Sequence, residues 1–333
     1  MNKQIWKIEA MYSVFVLIHF LLYPILVGAA ILDQLKKWFT NGKRRSPHNL
    51  IGEVALITGS ARGLGRDIAI ALAKLGCHIA VVDVQEKLGE ETARFIADEY
   101  NVKTKFYKID VRDYQQLLEL QKSITADLGV VTVLVNNAGI LTMSTVRNPP
   151  APEVQRMIDV NFTAPFLITE IFLPKMKELN RGYVVNISSI FAMYPHYNYN
   201  IYGATKAALR HLTASLNTDL LESNSEVRAL AVCPAFLTTN KRIIELIHIT
   251  KLDRYMYPID GEVVAEYIVR AMFRGDVEIT VPRILIWGYR LLATLPMSIT
   301  EMAITTMGKL TNSRHFESEA SQILKSYDVQ MKL

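Results

Sequence analysis

A tyrosine and a lysine four residues apart are the side chains of this chain best suited to proton transfer. Tyr202 and Lys206 belong to the stretch IYGATKAALRHLTASL, whose pattern predicts a helix with both residues on one face. A phenol has an ordinary pKa of about 10, and a neighbouring ammonium favours its ionised form. The spacing therefore predicts that Tyr202 is a general acid and base whose pKa is lowered by Lys206.

A serine in the preceding apolar stretch is a candidate partner for this pair. Ser189 ends the predicted strand VVNISS, and a hydroxyl there can hydrogen-bond to an oxyanion that develops during the reaction. Ser188 is the competing candidate. Because neighbours along a strand point to opposite faces, only one of the two serines is expected to face the site.

The elements that must position these residues follow a βαβ pattern. Short β-branched runs alternate with amphipathic stretches of helix length, which is typical of a parallel sheet in the α/β class. A single doubly wound sheet of about seven strands is predicted in one domain at residues 51–282. The expected strands are Val54–Thr58, His78–Asp83, Thr104–Asp110, Val131–Asn136, Tyr183–Ser188, Val227–Cys233 and Val277–Thr280.

A glycine-rich loop, TGSARGLG, follows the first expected strand. It places Gly59, Gly63 and Gly65 between that strand and a helix that begins near Leu64. Glycines let the backbone turn sharply and approach a pyrophosphate, and the N–H groups of a helix N-terminus favour an anion. The alternative is a purely structural turn. With the pattern of alternating strands and helices, the loop favours a Rossmann-type dinucleotide site.

An aspartate at the end of the second expected strand indicates which dinucleotide binds. Asp83 lies 20 residues after Gly63, where its carboxylate can accept hydrogen bonds from ribose hydroxyls. It would repel a 2′-phosphate, so NAD is the expected cofactor. Arg62 can pair with such a phosphate, which leaves NADP as the alternative. Asp is also a common turn residue at strand ends, and that interpretation remains open.

Four motifs in this order resemble the short-chain dehydrogenase/reductase family. They are TGSARGLG, the pair Asp110 and Val111, the NNAG run from Asn136 to Gly139, and YGATK from Tyr202 to Lys206. The resemblance covers residues 51–282. It implies an oxidoreductase that interconverts a hydroxyl and a carbonyl by hydride transfer with NAD or NADP.

The resemblance implies further cofactor-binding roles. Asp110 would contact the adenine, the NNAG run would support the sheet beside the cofactor, and Thr239 would hold the nicotinamide carboxamide. In the turn PAFLTT, Ala235 replaces the glycine that is usual in the family. The expected cofactor-binding residues are Gly59, Arg62, Gly63, Leu64, Gly65, Asp83, Asp110, Val111, Asn137, Ala138, Gly139, Tyr202, Lys206 and Thr239.

The resemblance also completes the expected catalytic group. Ser189 stands thirteen residues before Tyr202, a spacing that matches the family's substrate-orienting serine. Asn161, in MIDVNF, matches the asparagine that holds a water linking the lysine to solvent. A residue at a helix kink is the alternative interpretation of Asn161. The expected catalytic residues are Tyr202, Lys206, Ser189 and Asn161, and no metal site is expected.

Residues outside the sheet predict contact with a membrane. No charged residue occurs from Ala10 to Leu32, and a bilayer-spanning helix needs about 20 apolar residues. Basic residues follow the segment, so the positive-inside rule places the catalytic domain in the cytosol. Pro24 leaves a spanning helix and a hairpin open. The expected segments are an anchor at 1–33, a basic linker at 34–50, and after the catalytic domain a helical tail at 283–333, either packed on the domain or lying at the membrane interface.

Apolar stretches around the expected site favour a lipophilic substrate. Leu141–Pro152, Phe191–Asn200 and the stretch after Thr239 are largely apolar or aromatic. The anchor, linker and tail resemble the family branch of retinol dehydrogenases and lipid-droplet-associated 17-beta-hydroxysteroid dehydrogenases. That branch implies a retinoid, steroid or fatty alcohol as substrate, and a place on the endoplasmic reticulum membrane or lipid droplets.

Two other functions remain open at this stage. One is an NADPH-dependent carbonyl reductase of retinaldehyde or keto-lipids, and the other is a nucleotide-binding scaffold protein of lipid droplets that catalyses nothing. The net charge is +5, but the basic residues are scattered, so no nucleic-acid partner is expected. The expected partners are the lipophilic substrate and a membrane or droplet surface, with a homodimer left open.

Overall fold

A seven-stranded parallel sheet forms the centre of the catalytic unit. The computed structural model describes residues 49–141, 150–194, 199–239 and 258–310, and a few isolated positions before residue 33. Residues from Asn49 onward belong to one compact unit, and those before it to another. The strands lie in the order β3-β2-β1-β4-β5-β6-β7. They are β1 (Val54–Thr58), β2 (His78–Asp83), β3 (Thr104–Lys108), β4 (Val131–Asn136), β5 (Tyr183–Ile187), β6 (Arg228–Pro234) and β7 (Glu278–Val281).

The prediction of a Rossmann-type sheet of seven strands is confirmed, with small differences at the strand ends. β3 ends at Lys108 rather than Asp110, because the Asp110 N–H donates to the Gln116 side chain instead of to a strand. β6 begins one residue later than expected, because the Val227 N–H donates to the Ser225 hydroxyl in the preceding turn. Local side-chain bonds that the apolar pattern does not show decide these ends.

Helices cover both faces of the sheet. They are α1 (Gly63–Ala73), α2 (Glu86–Tyr100), α3 (Tyr114–Asp127), α4 (Ala151–Ile158), α5 (Ala164–Glu178), α6 (Asn200–Glu222), α7 (Gly261–Arg274), α8 (Ile284–Ala293) and α9 (Met297–Leu310). One hydrophobic core lies under α1, α2 and α7, and a second under α3 and α5. All five residues of β1 are buried, as expected of a strand covered on both faces.

The connection from β3 to β4 creates the crevice in which the site lies. β1 pairs with β2 on one side and β4 on the other, so the chain crosses to the far side of β1 after β3. At such a switch point the connections leave in opposite directions, and the carboxyl ends of the two strands are left open. The glycine loop after β1 and the NNAG run after β4 lie at this edge.

The structure describes different parts of the two segments that were expected to contact a membrane, the N-terminal anchor and the C-terminal tail. The expected anchor between Ala10 and Leu32 falls outside the described residues, apart from isolated positions. Among the described helices, only the continuous stretch Ala151–Glu178 is long and apolar enough to cross a bilayer. Half of its apolar window is buried in the domain, as in the core helix of a soluble protein. In the expected tail, α8 has no buried residue.

Candidate active site

The glycine loop is shaped by three glycines with different tasks. Gly59 and Gly63 have φ of +66° and +61°, in the left-handed region that favours glycine. Gly65 lies in the first turn of α1, where a Cβ atom would come within 2.3 Å of the Gly59 carbonyl oxygen. Arg62, at the N-cap of α1, makes no side-chain capping bond, and the first turn holds no acidic residue. The helix N-terminus therefore offers N–H groups and a positive dipole to a pyrophosphate, so these residues fit a dinucleotide.

The NNAG run holds the glycine loop in place. The Thr58 hydroxyl accepts hydrogen bonds from the N–H groups of Asn137 at 3.1 Å and Ala138 at 3.0 Å. The Asn137 side chain donates to the carbonyls of Thr58 at 2.9 Å and Gly59 at 3.0 Å. The sequence interpretation missed Thr58, although it stands directly before the first glycine of the motif. Its hydroxyl is what joins the two motifs.

Asp83 joins the end of β2 to the glycine loop. It is buried, and its two carboxylate oxygens accept from the N–H groups of Ala61 and Gln85, each at 3.0 Å. The turn interpretation of Asp83 is therefore correct, and it does not compete with cofactor binding, since each carboxylate oxygen has a second lone pair. Arg62 is exposed on the same loop. The expected contacts of Asp83 with the ribose hydroxyls and of Arg62 with a 2′-phosphate stay predictions.

The pair that follows β3 is engaged within the protein. The Asp110 carboxylate accepts from the backbone N–H and the guanidinium of Arg112, with distances from 2.5 to 3.1 Å. These bonds with Arg112 hold the pKa of Asp110 below its ordinary value. Val111 is buried in the core beside α3. The adenine contact assigned to Asp110 remains a prediction, and it would have to form beside this ion pair.

The two serines after β5 face different partners. The Ser188 hydroxyl donates to the Lys206 carbonyl oxygen at 2.7 Å, which ties β5 to α6. The Ser189 hydroxyl accepts from the Phe191 N–H at 3.2 Å, and it acts on the Tyr202 hydroxyl, whose pKa it lowers. The structure thus places Ser189, and not Ser188, beside the phenol.

The environment of Tyr202 differs from the sequence expectation. Burial raises the pKa of its hydroxyl, while the hydrogen bond from Ser189 lowers it and the buried Cys233 thiol raises it further. The expected phenolate depended on both Lys206 and a positively charged nicotinamide ring, and in the protein alone desolvation disfavours that ionised form. The lowering of this pKa by Lys206 and a bound nicotinamide ring together stays a prediction.

Lys206 lies under the ring of Tyr202 in a buried position. Its ammonium nitrogen is 5.8 Å from the ring centroid and donates to the Ile187 carbonyl at 2.8 Å. Burial lowers the pKa of Lys206 to about 8, so the side chain is mostly protonated at neutral pH. A Cβ atom at Gly139 would lie 3.3 Å from this nitrogen. The Lys206 ammonium therefore ties α6 to β5 and lies close to the NNAG run.

Asn161 lies at an irregular turn of its helix, as its structural interpretation expected. It is buried in a π-helical turn, Asp159–Thr163, between α4 and α5, so the helix is indeed irregular there. Its side-chain oxygen accepts from the Ile140 N–H at 2.8 Å, and its amide donates to the Ile140 carbonyl at 2.9 Å and to Thr205 at 3.2 Å. The side chain thus joins the NNAG run to α6, and the water relay remains a prediction.

Thr239 lies beside the glycine loop. A Cβ atom at Gly63 would be 3.6 Å from the Thr239 Cβ atom. This brings the turn after β6 to the start of α1, although Ala235 stands where the family has glycine. The expected site residues therefore follow β1, β2, β4, β5 and β6 at one edge of the sheet. The helix N–H groups lie at one part of this edge, and Tyr202 and Lys206 lie at another.

Comparisons with known proteins agree with this geometry. The short chain dehydrogenase family model matches residues 53–243. Short-chain dehydrogenase/reductase family 16C member 6 from Bos taurus is 32% identical over 236 residues, which is 71% of this chain and 74% of that protein. Epidermal retinol dehydrogenase 2 from Mus musculus is 27% identical over 274 residues, 82% of this chain and 88% of that protein.

A bacterial enzyme and a solved structure extend the agreement. The 3-alpha-(or 20-beta)-hydroxysteroid dehydrogenase of Mycobacterium tuberculosis is 33% identical over 221 residues, 66% of this chain and 83% of that protein. A short chain dehydrogenase/reductase from Burkholderia phymatum, solved in complex with NAD, has the same fold with a TM-score of 0.66 and 23% identity, over 74% of this chain and 94% of that one. The chain belongs to the short-chain dehydrogenase/reductase family and is an oxidoreductase of CH–OH groups that uses a nicotinamide dinucleotide.

Proposed function

We propose that this enzyme interconverts a hydroxyl and a carbonyl on a lipophilic substrate, a retinoid, steroid or fatty alcohol, with Tyr202 as general acid and base. The observation that carries the proposal is the grouping of three side chains: the Ser189 hydroxyl, which lowers the pKa of Tyr202, the buried Tyr202 phenol, and the Lys206 ammonium 5.8 Å from the centre of the phenol ring. A phenol, a hydroxyl donor and a cation in one buried group can hold the substrate oxygen and exchange its proton.

Each residue has a separate task in the proposed reaction. A bound nicotinamide dinucleotide would supply the hydride acceptor for alcohol oxidation, and in its reduced form the hydride donor for the reverse direction. The Ser189 hydroxyl donates a hydrogen bond to the substrate oxygen, and Tyr202 removes the alcohol proton or returns it. The Lys206 cation favours the phenolate electrostatically. Because the pKa of Lys206 is about 8, the cation is present near neutral pH.

Aromatic packing beside Tyr202 supports a lipophilic substrate. The Phe191 ring meets Tyr202 edge-on at 6.3 Å and Phe236 at 5.9 Å, and it stacks on Tyr199 at 4.4 Å. These packed rings provide apolar surface that can contact a lipophilic alcohol. They carry no charge that could bind a sugar phosphate or an acid. Relatives named as retinol and hydroxysteroid dehydrogenases act on substrates of this class, which supports the same class here.

A substrate and cofactor screen tests the proposal. The purified full chain is assayed with retinol, estradiol and long-chain alcohols, with NAD and NADP, and with the matching carbonyls and reduced cofactors. We expect turnover of at least one lipophilic alcohol with NAD. Turnover of retinaldehyde or keto-lipids with NADPH alone would support the carbonyl reductase instead. Absence of turnover together with retained NAD binding would support the lipid-droplet scaffold.

We propose that the enzyme prefers NAD and expect Asp83→Ser to shift it towards NADP. Loss of a charged hydrogen-bond acceptor should raise the KM for NAD about tenfold. The same change removes the repulsion of a 2′-phosphate, so the KM for NADP should fall. The measurement is the steady-state KM for both cofactors with one alcohol.

A second substitution separates cofactor recognition from damage to the loop. Because Asp83 also accepts from Ala61 and Gln85, its replacement alone can weaken binding of both cofactors. Arg62→Gln in the Asp83→Ser protein should abolish the gain in NADP use, since Arg62 is the exposed cation of that loop. Saturation of the unmodified enzyme by NADP but not by NAD would contradict the preference.

We propose that the segment Ala10–Leu32 anchors the enzyme in the endoplasmic reticulum membrane or on lipid droplets, with the catalytic unit in the cytosol. Deleting Met1–Leu32 should release the protein into the supernatant of membranes washed with high salt, while the full chain remains in the pellet. Fractions are compared by immunoblot after sedimentation. A truncated protein that still sediments after the wash would show that the tail is the main anchor.

A further inference from the structure

Helix α8 presents a row of large apolar side chains to solvent. Ile284, Trp287 and Leu291 are 70%, 64% and 66% exposed, and their spacing of three and four residues puts them on one face of the helix. We call these three residues the α8 stripe. The next helix adds Met297, Ile299 and Met302, which are exposed as well. Clustered exposure of this kind usually marks an interaction surface.

Two arginines border the stripe. Arg283 and Arg290 are exposed, and the Arg290 guanidinium lies 5.4 Å from the centre of the Trp287 ring. A tryptophan and aliphatic residues on one face, with arginines along the flank, match a helix that lies in a lipid interface. The apolar side chains would enter the acyl region while the arginines meet anionic headgroups.

The opposite side of α8 packs against the segment that follows Ser189 and against α6. The Tyr194 hydroxyl donates to the Leu285 carbonyl at 2.8 Å, and the Tyr194 and Tyr289 rings meet edge-on at 6.0 Å. The Arg210 guanidinium lies 5.2 Å from the Tyr289 ring, and Arg210 is one turn after Lys206 on α6. The stripe is thus the outer face of a helix whose inner face holds the segment after Ser189.

We propose that the α8 stripe docks on an anionic lipid surface and holds the substrate-bordering segment at that surface. The docking follows from the exposed stripe and its arginines alone. With the stripe docked, an alcohol dissolved in the lipid would enter the site without crossing water. This consequence for the substrate rests on the proposed function. Docking therefore lowers the KM for a lipid-dissolved alcohol and leaves the chemistry unchanged.

Fluorescence of Trp287 tests the docking directly. The chain has three tryptophans, so the full chain with Trp6→Phe and Trp38→Phe reports on Trp287 alone. It is reconstituted in phosphatidylcholine vesicles with and without phosphatidylserine, with bromine on the acyl chains. We expect bromine to quench Trp287, and more strongly with phosphatidylserine. Absence of quenching would overturn the proposal. This result is expected if a second copy or the chain's own N-terminal segment covers the stripe instead of lipid.

A tryptophan elsewhere on the surface provides the control for proximity. Leu221 is 78% exposed and lies outside the stripe, at the end of α6. In the same background, Trp287→Phe with Leu221→Trp should give emission that bromine does not quench. Equal quenching at both positions would mean that the whole unit lies against the vesicle without a specific face, and would overturn the proposal.

Leu291→Glu links the surface to catalysis, with Leu221→Glu as the matched control. Because burial of a leucine is worth about one tenfold change in affinity or more, Leu291→Glu should raise the KM for a vesicle-dissolved long-chain alcohol about tenfold. Turnover of a short water-soluble alcohol should not change, and Leu221→Glu should change neither. Equal KM values for Leu291→Glu and Leu221→Glu would overturn the proposed effect of docking on catalysis. If no alcohol were turned over by the unmodified enzyme, the proposed function would be refuted, but the conclusion on docking from the quenching experiment would not be affected.

Discussion

Tyr202→Phe is expected to lower kcat about 10³-fold, the usual contribution of a positioned general acid and base. The substitution removes only the hydroxyl, so the ring keeps its edge-on contact with Phe191 and its place above Lys206. The glycine loop and Asp83 do not touch this hydroxyl, and the affinity for NAD should be nearly unchanged. The measurements are steady-state kcat and the Kd for NAD by calorimetry.

A control and a pH profile make this result specific. Tyr267→Phe, on the exposed side of α7, loses the same atom away from the site and should keep full turnover. Burial raises the pKa of Tyr202, so alcohol oxidation by the unmodified enzyme should rise with pH as the phenolate forms. That rise should be absent from the residual activity of the phenylalanine variant. Unchanged turnover in Tyr202→Phe would defeat the assignment of the base.

Gly65→Ala is expected to weaken NAD binding more than tenfold, although alanine ordinarily favours a helix by about 1 kcal/mol over glycine. The added Cβ atom would lie 2.3 Å from the Gly59 carbonyl oxygen and 2.5 Å from the Asn137 side-chain nitrogen. The first of these neighbours is backbone and must move, at an overpacking cost of about 1–3 kcal/mol. The steric cost therefore exceeds the gain in helix propensity from alanine. The clash should displace the turn that is expected to bind the pyrophosphate.

Calorimetric titration with NAD and thermal unfolding measure the two consequences separately. Gly52→Asn is the control, because Gly52 has a φ of +76° with no atom near its Cβ position, and asparagine tolerates this backbone region. It should keep both NAD affinity and thermal stability near those of the unmodified chain. Normal NAD affinity in Gly65→Ala would show that the loop does not receive the dinucleotide.

The sequence by itself determined the sheet and the motifs. β1, β2 and β4 begin and end at the residues expected, because uninterrupted apolar runs bounded by glycine, aspartate or asparagine specify strands covered on both faces. The order of the glycine loop, the NNAG run and the Tyr202–Lys206 spacing indicated the family. These features depend on residues close together in the chain, so a linear pattern contains them.

The tertiary structure alone decided what lies beside each motif. The hydrogen bond that ties Ser188 to α6, the bridging role of Thr58 and the raised pKa of Tyr202 depend on residues from other strands and helices. The same holds for the face of α8 that remains exposed. Desolvation and hydrogen bonding arise from packing between distant segments, and the sequence pattern records which side chains are apolar but not which neighbours the fold brings to them.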